Sequence, residues 1–378
     1  MINKLTKPRS GRSDALFTIL VLIIALYGTL MVFSAGTAYA EARYNDALYF
    51  VKRQAIWIII GLAIMWSASK VDVKYYKKYT IHFYLLTLGL LFLVLAIGMV
   101  GNGAQRWISL GPVTIQPSEI AKLSMIMMLS LYFSANEERA TDRKKEKNVL
   151  IYGTLIPCLI MLVPIILVML QKHLSCIVIL GTIGLLLIFI AGVNPKYIYA
   201  FCIIAVIGVA CIALFTDYTK ERITVWQDPE AYKLTGGWQT LQGLMAIGSG
   251  GLFGAGYGES VLKHCYVSEP ANDMIFAILC EELGLVGAIL AISLFSALVA
   301  RGCYIGMRVN DSFERLLVFG ISIKMAVQVL LNIAVVTNTV PNTGISLPFF
   351  SYGGSSLIMM FFEMAIVLSV SRNATLSK

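Results

Sequence analysis

The chain has 378 residues, of which 58% are hydrophobic and only 13% charged, and its mean hydropathy is +0.78. A soluble domain carries about 45–50% apolar and about 25% charged residues, so this composition argues against a soluble domain on an anchor and for one polytopic membrane domain. The formal net charge of +9 invites a nucleic-acid reading, but most Lys and Arg fall in short links on one side of the expected membrane, so topology and attraction to anionic lipid explain it and no nucleic-acid partner is expected.

A basic tail, residues 1–14, leads into an apolar run without a small-residue cleavage site, which reads as a retained first helix. Spans are expected at 15–34, 50–68, 80–100, 118–134, 148–169, 174–191, 197–215, 272–299, 313–337 and 350–370. They must be helical, because every backbone amide in hydrocarbon has to be satisfied within its own segment or in a closed barrel, and these runs are too long and apolar for barrel strands. The fold class is therefore all-α and polytopic: ten transmembrane helices in one domain over 15–371, with a large extracytoplasmic loop at 216–271 between the seventh and eighth. A short tail, 372–378, follows. Links rich in Lys70, Lys74, Lys77, Lys78, Arg139, Lys145 and Lys147 alternate with poorer ones, which predicts both ends in the cytoplasm. Cys158, Cys176, Cys202, Cys211 and Cys280 lie within spans and read as small apolar residues, leaving Cys265 without an obvious partner in an outer loop.

Three expected outer regions are unusual. GNGAQRWISLGPVTIQPSE (101–119) reads as a hairpin or partly inserted loop; 216–271 holds a short helix candidate, QTLQGLMAI (239–247), before GSGGLFGAGYG; and TNTVPNTGISLPFFSYGGSS (337–356) is again punctuated by Pro and Gly. No internal repeat is visible, so a carrier built from inverted halves gets no direct support.

Asp273 stands at the start of the eighth span in SEPANDMIFAILCEELG. It reads either as an acid favoured by the helix dipole or as an interfacial carboxylate able to take a proton from a sugar hydroxyl. Glu269, four residues earlier, could share acid–base work with it or help bind one divalent cation, Mg²⁺ or Mn²⁺ by its hard-oxygen preference; no organic cofactor is implied. Glu281 and Glu282, deeper in the helix, read equally as packing elements. Among outer cations, Arg222 in YTKERITVWQDP and Arg106 beside Trp107 are the better candidates for a diphosphate, with Lys263 third. Glu119 and Lys122, three apart, are expected to pair on one helix face; Lys324, Gln328 and Asn332 repeat every four residues; Glu363 lies in the tenth span. Such groups must face partners or a wet cavity, and a structural network is favoured over a transport path.

Three blocks carry a resemblance over almost the whole chain: WISLGPVTIQPSEIAKL (107–123); GGWQTLQGLMAIGSGGLFGAGYGES (236–260) running into EPANDMIFAILCEELG (269–284); and QVLLNIAVVTNTVPNTGISLPFFSYGGSS (328–356). They resemble the shape, elongation, division and sporulation (SEDS) family, and WQDPEAY (226–232) with GYGES before Lys263 is closer to its division and sporulation branch than to its rod-shape branch. The resemblance implies a ten-helix peptidoglycan glycosyltransferase of the bacterial cytoplasmic membrane, working at the septum or on the spore wall. It would polymerise lipid II, release undecaprenyl diphosphate, and act beside a class B penicillin-binding protein and other divisome proteins. The family's essential acid falls on Asp273, and Gln239 and Ser351 within the blocks are expected beside the substrate. The chain departs from the family pattern at Ser268, Ala271, Asn272 and Met274, and has His173 where an Asp is usual. Two other functions stay open: a lipid II flippase, suggested by the charges within spans, and a non-catalytic scaffold that activates a transpeptidase.

Overall fold

The computed structural model describes residues 11, 13–101, 104–111, 113–142, 145–197, 199, 217–264 and 270–374. The helices are α1 (Ala15–Tyr44), α2 (Tyr49–Ala68), α3 (Val73–Ile97), α4 (Pro117–Thr141), α5 (Glu146–Leu170), α6 (Leu174–Ile190), α7 (Asp217–Gln227), α8 (Trp238–Gly250), α9 (Ile275–Met307), α10 (Ser312–Val336) and α11 (Gly354–Ser371). Every expected span except 197–215, which apart from residues 197 and 199 lies outside the described residues, coincides with one of these helices. Seven are long and apolar enough to cross a membrane, namely α1, α2, α3, α5, α9, α10 and α11, and the 17-residue α6 is a shorter apolar helix. Helix α4 is more polar because it sits inside the bundle: Ser118, Glu119, Lys122, Ser124 and Ser130 are all buried. The chain is thus a multi-pass α-helical membrane protein.

Local signals explain the ends. Asp14 accepts from the N–H of Phe17, Asp72 from Lys74, and Asp311 from Phe313 and Glu314, each satisfying amides that the helix itself cannot. Pro117 starts α4, where its missing N–H is harmless. These Asp caps share one end of the bundle, where Asp14 also pairs with Arg301 at 2.7 Å and its N–H reaches Ser371 Oγ at 3.0 Å. At the other end the expected hairpin is a three-stranded antiparallel sheet, β1 (Met99–Gly101), β2 (Ala104–Leu110) and β3 (Val113–Ile115), pairing Met99 with Trp107 and Ile108 with Ile115. The expected short helix is α8, and it packs on α9.

One difference is instructive. The expected eighth span is not a continuous helix: Gly284 takes φ +63° inside α9 and breaks it. The break frees the carbonyls of Glu281 and Glu282 and the N–H groups of Leu285 and Val286. The glycine-rich segment after α8 restores all four bonds: Ala255 N to Glu281 O (2.9 Å), Gly256 N to Glu282 O (3.0 Å), Leu285 N to Gly251 O (3.0 Å) and Val286 N to Leu252 O (3.2 Å). Contact this close requires glycine. A Cβ on Gly254, at φ +80°, would lie 2.1 Å from the Glu282 carbonyl oxygen, and one on Gly284 would lie 2.4 Å from Gly254 N.

Candidate functional site

At the end of the bundle that carries the sheet, a cavity of about 970 Å³ opens between α2, β2, α4, α6, α7, α8, α10 and the loop 342–356. Asp273 is in its wall, together with Gln239, Arg222, Arg106, Trp107, Glu119, Lys122 and Gln328, so a large part of the expected site is brought into one space. Arg53, His173, Tyr352 and the loop Asn342–Ser346 join them.

The backbone around Asp273 is fixed from two sides. Asn332 Nδ2 on α10 donates to the Asp273 carbonyl at 2.9 Å and to the Ile345 carbonyl at 2.6 Å, tying the turn before α9 to the loop. Ser351 Oγ donates to the Asn272 carbonyl at 2.7 Å and accepts from Leu347 N at 2.7 Å, while Tyr352 N donates to the Ala271 carbonyl at 2.9 Å. Gln239 Nε2 lies 3.4 Å from both carboxylate oxygens of Asp273. The carboxylate is therefore set against the cavity by a backbone that cannot easily turn, the supporting shell a precise site needs.

Charge in the wall is unbalanced. Among the described lining residues, Arg53, Arg106, Lys122 and Arg222 stand against Glu119 and Asp273. Lys122 Nζ is 2.6 Å from Glu119 Oε1 and 3.3 Å from Gln328 Oε1, which forms the expected one-turn ion pair but puts it on the cavity wall as well as in the helix packing. Arg106 Nη2 donates to the Lys172 carbonyl at 2.7 Å, and Arg222 donates to the Asn342 carbonyl. His173 is 6% exposed, and burial, aided by nearby Arg106 and Lys122, pushes its imidazole down to about 3, so it is neutral at ordinary pH.

Some expected residues are placed elsewhere. Lys263 is a correction: it does not face the cavity but is 3% exposed, with Nζ 3.0 Å from Glu282 Oε1 and 3.2 Å from Ser34 Oγ. Glu282 is fully buried and needs that cation, so Lys263 is committed to holding α9 against α1. Glu281 is likewise used internally, accepting from Ser260 Oγ and from the N–H groups of Val261 and Leu262. Ser351 is a second correction, since it is buried beneath the site and positions Asn272 instead of lining the cavity. Lys324 pairs with Glu363 at 2.6 Å, deeper in the bundle. Glu269 and Cys265 lie outside the described residues. Among the described residues no group of three His, Cys, Asp or Glu side chains is placed to hold a metal ion. Among the described lining residues the carboxylates are Glu119, paired with Lys122, and Asp273, and a divalent cation held there would complete its shell with water and substrate phosphate.

Sequence reasoning passed over Arg53 and treated His173 only as a departure. Arg53 carried one readable signal, its place one turn before Trp57 on the same helix face. His173 and the 342–346 loop reach the cavity through tertiary packing, which no spacing announces.

The family model for FtsW, RodA and SpoVE, described as "Cell cycle protein", matches residues 14–376. The chain is 36% identical over 375 residues to stage V sporulation protein E of Bacillus subtilis, covering 98% of this chain and 99% of that protein. It is 33% identical over 371 residues to a protein of Geobacter metallireducens named "Probable peptidoglycan glycosyltransferase FtsW", covering 97% of each. Among solved structures it resembles a chain from "Structural coordination of polymerization and crosslinking by a peptidoglycan synthase complex", with TM-score 0.78 and 26% identity over 95% of this chain and 98% of that one. The rod shape determining protein RodA of Thermus thermophilus matches with TM-score 0.70 and 25% identity, each chain covered in full at 100%.

Proposed function

The chain belongs to the FtsW, RodA and SpoVE family of cell cycle proteins, and on that footing we propose that it is a peptidoglycan glycosyltransferase that polymerises lipid II in the cavity described above. The observation that carries this reading is Asp273: a carboxylate with a pinned backbone in the wall of a large cavity richer in cations than in acids. In the step we infer, Asp273 takes the proton of the 4-hydroxyl of the acceptor lipid II. That oxygen bonds to the anomeric carbon of the growing chain's terminal MurNAc, the bond from that carbon to phosphate oxygen breaks, and undecaprenyl diphosphate leaves with the electron pair. An α-linked donor yields a β-1,4 glycan, so a single inverting displacement suffices. Arg222 and Arg106 offset the negative charge that develops on the leaving diphosphate. Trp107 and Gln239 line the same space and suit contacts with the sugars. A Mg²⁺ or Mn²⁺ ion at Asp273 would add positive charge beside the acceptor hydroxyl.

The setting is part of the proposal. Both chain ends face the cytoplasm, the cavity faces outward where lipid II is displayed, and a class B penicillin-binding protein crosslinks the glycan at the division septum or on the spore wall alongside other divisome proteins. The synthase structure that the chain resembles couples polymerisation to crosslinking, which supports a transpeptidase partner. The test is gel-resolved polymerisation of lipid II by the chain with its partner, with Asp273→Asn and with chelator. Polymer from wild type and a loss of at least a hundredfold in the variant is the expected result. Asp273→Asn working at the wild-type rate would remove the base assignment, and lipid II crossing liposomes without polymer would favour the flippase.

A further inference from the structure

Helix α6 begins in the cavity. His173 is its N-cap residue and makes no capping bond with its side chain. The N–H groups of Leu174, Ser175 and Cys176, in the first turn, have no acceptor inside the helix, and His173, Ser175 and Cys176 all line the cavity. His173 adds an independent sign of a missing ligand: it is 6% exposed, yet its Nδ1 has no hydrogen-bond partner among the described residues. A polar ring buried at a cavity wall with an idle nitrogen is normally found bonded. Arg106 reaches the same turn, donating to the Lys172 carbonyl one residue before His173. Aligned amides, a helix dipole and a guanidinium together make an anion site.

The loop 342–346 links this turn to the acid. Ser175 Oγ donates to the Thr343 carbonyl, and a Cβ placed on the next residue, Gly344, would lie 3.6 Å from Asp273 Oδ2. An inverting displacement needs its base and its leaving group apart, with the anomeric carbon between them. Asp273 supplies the base, and the α6 turn, one loop away, holds the donors for a leaving anion.

We propose that the diphosphate of the lipid-linked sugar donor sits on the N-terminus of α6, held by the first-turn amides, His173 and Arg106. This deepens the glycosyltransferase reading and rests on it for the identity of the donor. His173 there is a neutral hydrogen-bond donor that needs no protonation, and the charge is met by Arg106, since Lys122 is already paired with Glu119. As the bond between anomeric carbon and phosphate oxygen breaks, the negative charge grows on oxygens already in the field of these groups. The turn is a binding element, and Asp273 remains the group that receives the proton.

The experiment measures binding of farnesyl diphosphate, with farnesyl monophosphate as a control, to the detergent-solubilised full chain in the presence of chelator. His173→Ala and Arg106→Gln are each expected to weaken diphosphate binding about tenfold, equivalent to about 1.4 kcal/mol. His173→Gln, which keeps a donor, is expected to recover most of the loss, and Asp273→Asn, which removes a carboxylate from the cavity wall, is expected not to weaken binding. Melting temperatures of all variants separate lost binding from lost fold, and Arg106→Lys substitutes for Arg106→Gln if the latter does not fold. Wild-type affinity in both His173→Ala and Arg106→Gln, a loss in Asp273→Asn equal to theirs, or disappearance of wild-type binding on chelation would each overturn the assignment. Polymerisation by wild type is measured in parallel. Intact diphosphate binding without any polymer would refute the glycosyltransferase reading while leaving the anion seat standing.

Discussion

Lys324 and Glu363 lie at the midpoints of α10 and α11, are 1% and 0% exposed, and meet with Nζ 2.6 and 2.7 Å from the two carboxylate oxygens. At 2.6 Å and an effective dielectric of about 20, the attraction is on the order of 6 kcal/mol. A lone charge at mid-membrane costs on the order of 3 kcal/mol even on the mildest scale. Glu363→Met or Lys324→Met alone removes the attraction and strands the partner, so each should destabilise by about 3–5 kcal/mol. Replacing both with Met removes the stranded charge as well, and the double variant should return to within about 1 kcal/mol of wild type. The assay is reversible unfolding of the four proteins of the cycle in mixed detergent micelles, followed by Trp fluorescence. A double variant as unstable as the sum of the singles would show that the two residues are not coupled and would refute the reasoning.

Other outcomes follow from the same geometry. Gly284→Ala should destabilise by at least about 1–2 kcal/mol, because its φ of +63° disfavours a side chain and a Cβ would lie 2.4 Å from Gly254 N; thermal melting reads this directly, and an unchanged midpoint would deny the clamp. Asn332→Ala releases the carbonyls of Asp273 and Ile345, so kcat for polymerisation should fall about tenfold or more, while a wild-type kcat would show that the backbone tie is idle. His173 is held near 3 by burial, against an ordinary value of 6.5. The unfolded chain therefore binds the proton first as pH falls, and the stability tied to the neutral ring is complete above about 6.5 and is lost as pH falls toward about 3. Wild type should lose stability faster than His173→Gln between pH 6.5 and 4.5, and parallel curves would contradict the burial of a neutral ring.

What was readable in advance follows from what each residue needed to know about the rest of the chain. Helix positions follow from apolar runs, and the Glu119–Lys122 pair follows from one-turn spacing, because both are local facts. Asp273 and Gln239 could be placed together only through the family resemblance, since they are 34 residues apart in sequence. Lys263 was misjudged because its partner depends on a break in α9: Glu282 meets it only when Gly284 interrupts the helix and the glycine-rich segment folds back to mend the backbone. The same local view read Ser351 as a substrate contact, when its hydroxyl holds the carbonyl of Asn272 from below. A glycine in an apolar run signals little by itself, and its φ is decided by a segment some thirty residues earlier. His173 shows the same limit from the other side, for an idle nitrogen becomes visible only when every neighbour has been accounted for.

The clasp at the opposite end of the bundle has a consequence for the order in which the molecule is made. Asp14 closes the first turn of α1 by itself, but its other partners, Arg301 and Ser371, are 287 and 357 residues later in the chain. At roughly 5–20 residues per second of synthesis, Ser371 emerges roughly 20–70 s after Asp14. Until Arg301 has been made the Asp14 carboxylate lacks its ion-pair partner, and until Ser371 has been made the Asp14 N–H lacks its acceptor. Docking of that carboxylate is therefore a late event in assembly, and it registers the first helix against the last only after every element that walls the cavity has been made.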